Sequence, residues 1–202
     1  MNYAELVSAL SKQKVLPIFR GSHVEIKAAL ALMEPLEFNA IELTTSIPNW
    51  QPLLKELSQK YQVGLGTVTS NQDIEDAITY GAKFLVSFGS FPDLIEASKK
   101  IPVIPGALTP SEFLQFQRAG IKLAKLYPAS AFGAKYLKDL KILLPDMQFI
   151  ATGGIGVNAE ELKNWRENGA IAIGMGSALG NPISDEAGFK QRVVELKSTL
   201  QY

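Results

Sequence analysis

The sequence contains no cysteine, and His23 is the only histidine among its 202 residues. The lack of cysteine excludes disulfide bonds, thiolate nucleophiles and metal sites with sulfur ligands. A single histidine excludes metal sites built from several imidazoles, and we expect no metal ion. His23 itself stands in a predicted helix start, where a surface or capping role is favoured over catalysis.

The chain also lacks an excess of either charge and any long apolar run. Lys and Arg number 20 and Asp and Glu number 20, so no basic field attracts nucleic acid or an anionic membrane. No apolar run approaches the length of a membrane span, and the polar residues 1–5 do not resemble a signal peptide. These features predict a soluble cytoplasmic protein without nucleic-acid or membrane partners.

Apolar segments alternate with amphipathic segments along the whole chain, after a short predicted helix at 4–12. Serine, threonine or asparagine N-caps open several of the helices, for example Ser22, Ser70, Thr109 and Asn158. Eight strands are predicted at 15–20, 40–44, 63–68, 82–87, 103–106, 122–126, 148–152 and 170–174. Strict alternation implies a parallel sheet, and eight repeats favour a (β/α)₈ barrel over an open doubly wound sheet. Residues 1–202 are predicted to form this one barrel domain.

Lys125 lies in the middle of the predicted sixth strand. Side chains alternate between the faces of a strand, so Leu123, Lys125 and Tyr127 share one face. Ala124 and Leu126 share the other face, and a strand that is apolar on both faces is typical of a buried parallel sheet. A buried lysine is costly to desolvate. Either it reaches water at the strand end, or its amine has a lowered pKa and attacks a carbonyl group.

Three more polar residues are predicted at the same mouth of the barrel. Arg20 ends the first strand, Thr67 follows two glycines in the third, and Glu42 faces inward because Ile41 and Leu43 take the other face. Each has a structural explanation when taken alone: Arg20 can cap a loop, Thr67 can bond a carbonyl, and Glu42 can neutralise a lysine. Together with Lys125 they are better explained as an active site.

Glycine-rich segments follow the last two predicted strands. Thr152 ends the seventh and is followed by Gly153 and Gly154, while Gly176 and Ser177 follow the eighth. Glycines let backbone N–H groups approach an anion, and barrels often bind phosphate at these two loops. The pair of loops predicts a phosphate site.

Five segments occur in the order of a known family: 41–44, 64–68, 104–106, 125–129 and 152–155. Through them the chain resembles, from about residue 15 to residue 179, the class I aldolases for 2-keto-3-deoxy-6-phosphogluconate (KDPG) and 2-keto-3-deoxy-6-phosphogalactonate (KDPGal). The resemblance implies reversible cleavage of these sugar acids to pyruvate and glyceraldehyde 3-phosphate, with 4-hydroxy-2-oxoglutarate as a further substrate. It also implies a homotrimer and no cofactor.

Residue roles follow from the same resemblance. Lys125 matches the Schiff-base lysine and Glu42 the carboxylate that moves protons, while Thr67 matches a threonine near the pyruvate carboxylate. The phosphate site is matched by Gly153, Gly154 and Ser177, and Gly176 is added to it by its position beside Ser177. Many members have an arginine four residues after the glutamate, where this chain has Ser46. Other members carry an arginine at the end of the first strand, so Arg20 is expected to bind the substrate carboxylate.

The sugar preference is left open by two opposing features. Ser130 to Gly133, followed by Tyr136 and Lys138, resembles the phosphogalactonate branch, whereas Thr152 ahead of the glycine pair resembles the phosphogluconate branch. A hydroxyl at that point can bond a substrate hydroxyl and so discriminate between sugars. Three other functions also stay open at this point: a phosphosugar isomerase or epimerase, a pyridoxal-phosphate protein, and a non-catalytic phosphosugar-binding protein.

Overall fold

The computed structural model describes residues 1–200 and contains alternating strands and helices after a leading helix. The strands are β1 (Val15–Phe19), β2 (Ala40–Thr44), β3 (Gln62–Gly66), β4 (Phe84–Val86), β5 (Val103–Ile104), β6 (Gly106–Ala107), β7 (Leu123–Leu126), β8 (Gln148–Thr152) and β9 (Ala170–Met175). The α-helices are α1 (Tyr3–Gln13), α2 (His23–Leu32), α3 (Trp50–Leu57), α4 (Asn71–Thr79), α5 (Pro92–Ala97), α6 (Pro110–Arg118), α7 (Ala134–Leu143), α8 (Ala159–Glu167) and α9 (Glu186–Leu200). Short 3₁₀ helices lie at Glu34–Leu36, Ala129–Ala131 and Ser177–Leu179.

All strand pairs are parallel, in the order β5-β4-β3-β2-β1-β9-β8-β7-β6. The segments β5 and β6 are two halves of one barrel strand, since β5 pairs with β4 and β6 pairs with β7. The prediction of one continuous strand at 103–106 is therefore wrong in detail. Pro105 separates the halves because proline has no N–H to donate, although its carbonyl still accepts from Lys125 N at 2.9 Å. The predicted (β/α)₈ barrel is confirmed.

The strands have an inner and an outer face, as their alternation predicts. Inward-facing apolar side chains form one buried cluster in the lower barrel: Leu16, Ala40, Phe84, Val86, Ile104, Leu123, Ile150 and Ala172. Leu6 and Leu10 of α1 join this cluster from below, and the Tyr3 hydroxyl donates to Val103 O at 3.1 Å. The leading helix thus closes the amino-terminal end of the barrel and leaves the carboxyl-terminal end as its mouth.

The outer faces of the strands pack against the helices. Ile41 and Leu43 lie in this outer core together with the two tryptophans, Trp50 and Trp165, which are both buried. Predicted N-caps are also observed, for example Ser22, whose hydroxyl accepts from Glu25 N. No helix within residues 1–200 combines the length and the hydropathy that crossing a membrane requires.

Candidate active site

A cavity of about 310 Å³ opens at the carboxyl-terminal mouth of the barrel. Its lining contains eight of the nine residues that the sequence analysis singled out: Arg20, Thr67, Lys125, Thr152, Gly153, Gly154, Gly176 and Ser177. The ninth, Glu42, lies on the inner face of β2, where it is buried. The fold therefore brings residues from six strands and the segments that follow them to one place.

Lys125 extends from the inner face of β7 into this cavity and is only 4% exposed. Burial lowers the pKa of its amine, and the positive charge of Arg20 lowers it further, while the carboxyl group of Glu42 opposes both. Desolvation is the largest of these effects. A lysine amine without its proton is a nucleophile for carbonyl carbon. Lys122, directly before β7, is exposed.

Glu42 is 1% exposed, and neither of its carboxyl oxygens has a hydrogen-bond partner among the described residues. Burial raises the pKa of this carboxyl, and the attraction to Lys125 and Arg20 reduces the rise without cancelling it. Within residues 1–200, no ion pair of 4.0 Å or less joins Glu42 to Lys125. Desolvation thus favours the neutral form of both groups, a carboxylic acid beside a free amine.

Thr67 has an unusual backbone conformation, with φ of 61° in the left-handed region. That region is strained for a β-branched residue. The Thr45 hydroxyl donates to Thr67 O at 3.0 Å and so helps to hold the turn. As a result, β3 ends at Gly66 and Thr67 borders the cavity instead of continuing the predicted strand.

Thr152, the last residue of β8, is 7% exposed, and its hydroxyl oxygen has no partner among the described residues. A methyl group at Gly174 of β9 would overlap this hydroxyl. The bare backbone of Gly174 therefore provides the space that the Thr152 side chain occupies. A buried hydroxyl without a partner is unusual in proteins and is expected to bond something that enters the cavity.

Arg20 follows β1, and its guanidinium lies against Gly176, where an added Cβ would be 2.7 Å from Nη1. No carboxylate pairs with Arg20 among the described residues. Ser46 borders the same cavity, and its hydroxyl bonds that of Thr44 at 2.7 Å. The cation at this side of the cavity is thus Arg20, while the position of Ser46 is neutral.

Gly153 and Gly154 form the turn after β8, with φ of 99° and 74°. Both values lie in the region that glycine adopts without strain. The carbonyl of Gly153 accepts from Ser130 N at 3.1 Å, and a methyl group at Gly154 would overlap the Ser130 hydroxyl. Opposite this turn, exposed Ser177 begins a 3₁₀ helix after Gly176. The two loops face one cavity, as a shared anion site requires.

Sequence reasoning assigned no role to Phe88 or Tyr127, which also line the cavity. Tyr127 shares a strand face with Lys125, so alternation alone was a sufficient signal to include it. Phe88 lies two residues after the end of β4. Active sites of barrels lie at the carboxyl ends of the strands, so this position alone was a signal to include it.

Comparison with known proteins matches the chain to one family. The family model described as KDPG and KHG aldolase matches residues 6–195. The 2-dehydro-3-deoxy-6-phosphogalactonate aldolase of Escherichia coli (strain K12) is 29% identical over 177 residues, which cover 84% of this chain and 85% of that protein.

Two solved structures are similar over nearly their whole length. One, described as native KDPGal, is 25% identical with a TM-score of 0.82 and covers 93% of this chain and 94% of its own. The other is the KDPG aldolase of Legionella pneumophila, with pyruvate captured as a covalent carbinolamine intermediate. It is 26% identical with a TM-score of 0.71 and covers 95% of both chains.

Proposed function

The chain belongs to the KDPG and KHG aldolase family, and on that premise we propose that it is a class I aldolase acting through a Schiff base at Lys125. The observation that carries the proposal is the pairing of a buried amine, whose pKa is lowered, with a buried carboxyl, whose pKa is raised, at the mouth of one barrel. The carbinolamine described for the Legionella enzyme supports covalent chemistry with pyruvate.

The first half of the reaction creates an electron sink. The neutral amine of Lys125 attacks C2 of the 2-keto acid and forms a carbinolamine. The Glu42 carboxylic acid then gives its proton to the departing hydroxyl, which leaves as water. A carboxylate and a positively charged iminium result, and burial, by raising the pKa of Glu42, favours the acid form that this step uses.

The second half breaks the carbon–carbon bond. The Glu42 carboxylate takes the proton of the C4 hydroxyl as the C3–C4 bond breaks, and the bond's electrons flow into the iminium to give an enamine. The aldehyde leaves, Glu42 returns its proton to C3, and water hydrolyses the new iminium. Pyruvate is released, while Lys125 and Glu42 return to their neutral forms, so one carboxyl group serves each proton transfer in turn.

Substrate binding is assigned to the remaining polar groups of the cavity. Arg20 and Thr67 hold the carboxylate of the keto acid, since Arg20 has no carboxylate partner among the described residues and Thr67 borders the same space. The backbone N–H groups around Gly153, Gly154 and Gly176, with the Ser177 hydroxyl, bind the 6-phosphate. The proposed products are pyruvate and glyceraldehyde 3-phosphate.

Three substrates are proposed: the two C4 epimers of the phosphorylated sugar acid, and 4-hydroxy-2-oxoglutarate. The Thr152 hydroxyl has no partner among the described residues and borders the same cavity as Lys125 and the glycine turn, so it is available to a substrate hydroxyl. Relatives named for phosphogalactonate and for phosphogluconate both match the chain. A homotrimer in the cytoplasm is proposed from the resemblance to the family, and light scattering and cell fractionation test these two points.

A pyruvate-release assay with each C4 epimer tests the proposed function. An aldolase releases one pyruvate for each substrate consumed. A phosphosugar isomerase or epimerase would convert the substrate without releasing pyruvate, and a binding protein would retain it unchanged. Either of those two results would contradict the proposal.

A further inference from the structure

The aromatic ring of Tyr127 lies beside the amine that the proposed reaction uses. Lys125 Nζ is positioned over this ring, 5.1 Å from its centroid. A cation within about 6 Å of an aromatic centroid is attracted by the negative face of the ring. Tyr127 also lines the cavity and is 37% exposed, so packing in the core does not account for its position.

The backbone on both sides fixes where the ring lies. Tyr127 N donates to Ala107 O at 3.1 Å, which continues the β6–β7 ladder by one residue. One edge of the ring rests against Gly153, where an added Cβ would be 3.2 Å from Tyr127 Cε2. The ring is therefore held between the end of β7 and the turn after β8, with its face toward Lys125.

The charges around Lys125 explain why this ring matters. The resting amine is favoured in its neutral form by burial and by the repulsion from Arg20. The iminium is then the positive charge that forms at this nitrogen during the reaction. The Glu42 carboxylate formed in the same step attracts it and Arg20 repels it, but no ion pair of 4.0 Å or less joins Glu42 to the lysine among the described residues. A ring face at this distance attracts the iminium and not the neutral amine, so it stabilises the intermediate selectively.

We propose that the face of the Tyr127 ring stabilises the iminium on Lys125 through a cation–π contact, and thereby promotes Schiff-base formation. The inference rests on the proposed Schiff-base function and adds a group that acts at the reacting nitrogen. It attributes the effect to the π-electrons of the ring and not to the phenol hydroxyl. Phenylalanine at position 127 should therefore still support Schiff-base formation, whereas an aliphatic side chain should not.

The test lowers the electron density of the ring stepwise by fluorination, at nearly constant ring shape, and removes the ring in one further variant. Tyr127 is replaced by Phe, by phenylalanines bearing one, two or three ring fluorines, and by Leu. Each folded variant is equilibrated with a series of pyruvate concentrations and quenched with borohydride, and the adduct fraction is measured by intact mass. Adduct formation should be within about twofold of wild type for Tyr127→Phe, fall steadily with fluorination, and be roughly tenfold weaker for three fluorines and for Tyr127→Leu.

The chain offers a matched control, because Lys60 lies 5.4 Å from the centroid of the Tyr61 ring, away from the cavity. Tyr61→Leu should leave adduct formation unchanged. Equal adduct formation across the fluorinated series would overturn the inference while leaving the Schiff base intact, since wild type would still be labelled. A wild-type protein that forms no adduct would overturn both the inference and the proposed function.

Discussion

A methyl group at Gly66 would overlap the carboxyl group of Glu42 on the neighbouring strand. The bare backbone of β3 therefore makes the space in which the proposed acid–base group lies. This space is closed to water and offers the carboxyl oxygens no partner among the described residues. The same packing that admits Glu42 thus also raises its pKa, because nothing replaces the lost hydration.

Replacing Glu42 by glutamine should abolish most activity without unfolding the protein. Glutamine has nearly the same size, so it fits beside Gly66, but it can neither accept nor release a proton at neutral pH. We expect turnover to fall by about 10²-fold or more. Steady-state pyruvate release and thermal unfolding measure the two effects. Normal turnover in this variant would mean that Glu42 is a structural partner of Lys125.

The same variant should change how stability depends on pH. The pKa of Glu42 is raised in the folded protein above its ordinary value of 4.5. Its contribution to stability is therefore complete below pH 4.5 and is lost as the pH rises through the folded value. Glu42→Gln lacks this loss, so its free energy of unfolding should increase relative to wild type between acid and neutral pH. A constant difference across that range would contradict the raised pKa.

Arg20→Gln should weaken binding of every 2-keto acid, with or without phosphate. Loss of a hydrogen bond to a charged group typically costs ~1.5–3 kcal/mol, so kcat/KM should fall roughly ten- to a hundredfold for both substrate types. Arg20 also lowers the pKa of Lys125. Its removal should therefore move the acid limb of the pH–rate profile to higher pH. Arg118→Gln, on α6, is a control that should change neither. A loss confined to phosphorylated substrates would place Arg20 at the phosphate.

Thr152→Val should change the choice between the two C4 epimers. Valine keeps the shape and removes a hydroxyl that has no partner among the described residues, so thermal stability should be unchanged or slightly higher. If the hydroxyl bonds a substrate hydroxyl, the ratio of kcat/KM for the epimers should change by about tenfold or more. An unchanged ratio would show that Thr152 does not discriminate between the two epimers.

Ser177→Ala should lower kcat/KM for phosphorylated substrates roughly tenfold and leave kcat/KM for 4-hydroxy-2-oxoglutarate nearly unchanged. Ser184→Ala, beyond the same loop, is the control. Gly154→Ala should also lower kcat/KM more for the phosphorylated substrate than for 4-hydroxy-2-oxoglutarate. It is a less specific test of phosphate binding, since its methyl group would meet Ser130 and its φ of 74° disfavours alanine. Equal losses for both substrates would mean that the phosphate is bound elsewhere.

Strand periodicity was enough to predict the barrel and the inward direction of Glu42 and Lys125. Their apolar neighbours, such as Ile41 and Leu126, leave only one face for the charged side chain. Helix starts were also predictable, because a capping box such as that of Ser22 and Glu25 lies within four consecutive residues. The assigned roles of the site residues stay predictions until they are measured.

Features that depend on contacts between distant segments were not predictable. The left-handed turn at Thr67 depends on the hydroxyl of Thr45, 22 residues earlier in the chain. The space for Thr152 depends on Gly174, and the space for Glu42 on Gly66, pairs that only the barrel's register brings together. The position of the Tyr127 ring likewise depends on Gly153 in the next loop.

Identification of the residue that pyruvate modifies tests the central claim most directly. The protein is incubated with pyruvate, reduced with borohydride, digested and mapped by mass spectrometry. The proposed mechanism predicts one adduct, on Lys125, and none on exposed Lys122 of the same segment. An adduct on Lys122 or Lys138 with Lys125 unmodified, or no adduct at all, would contradict it.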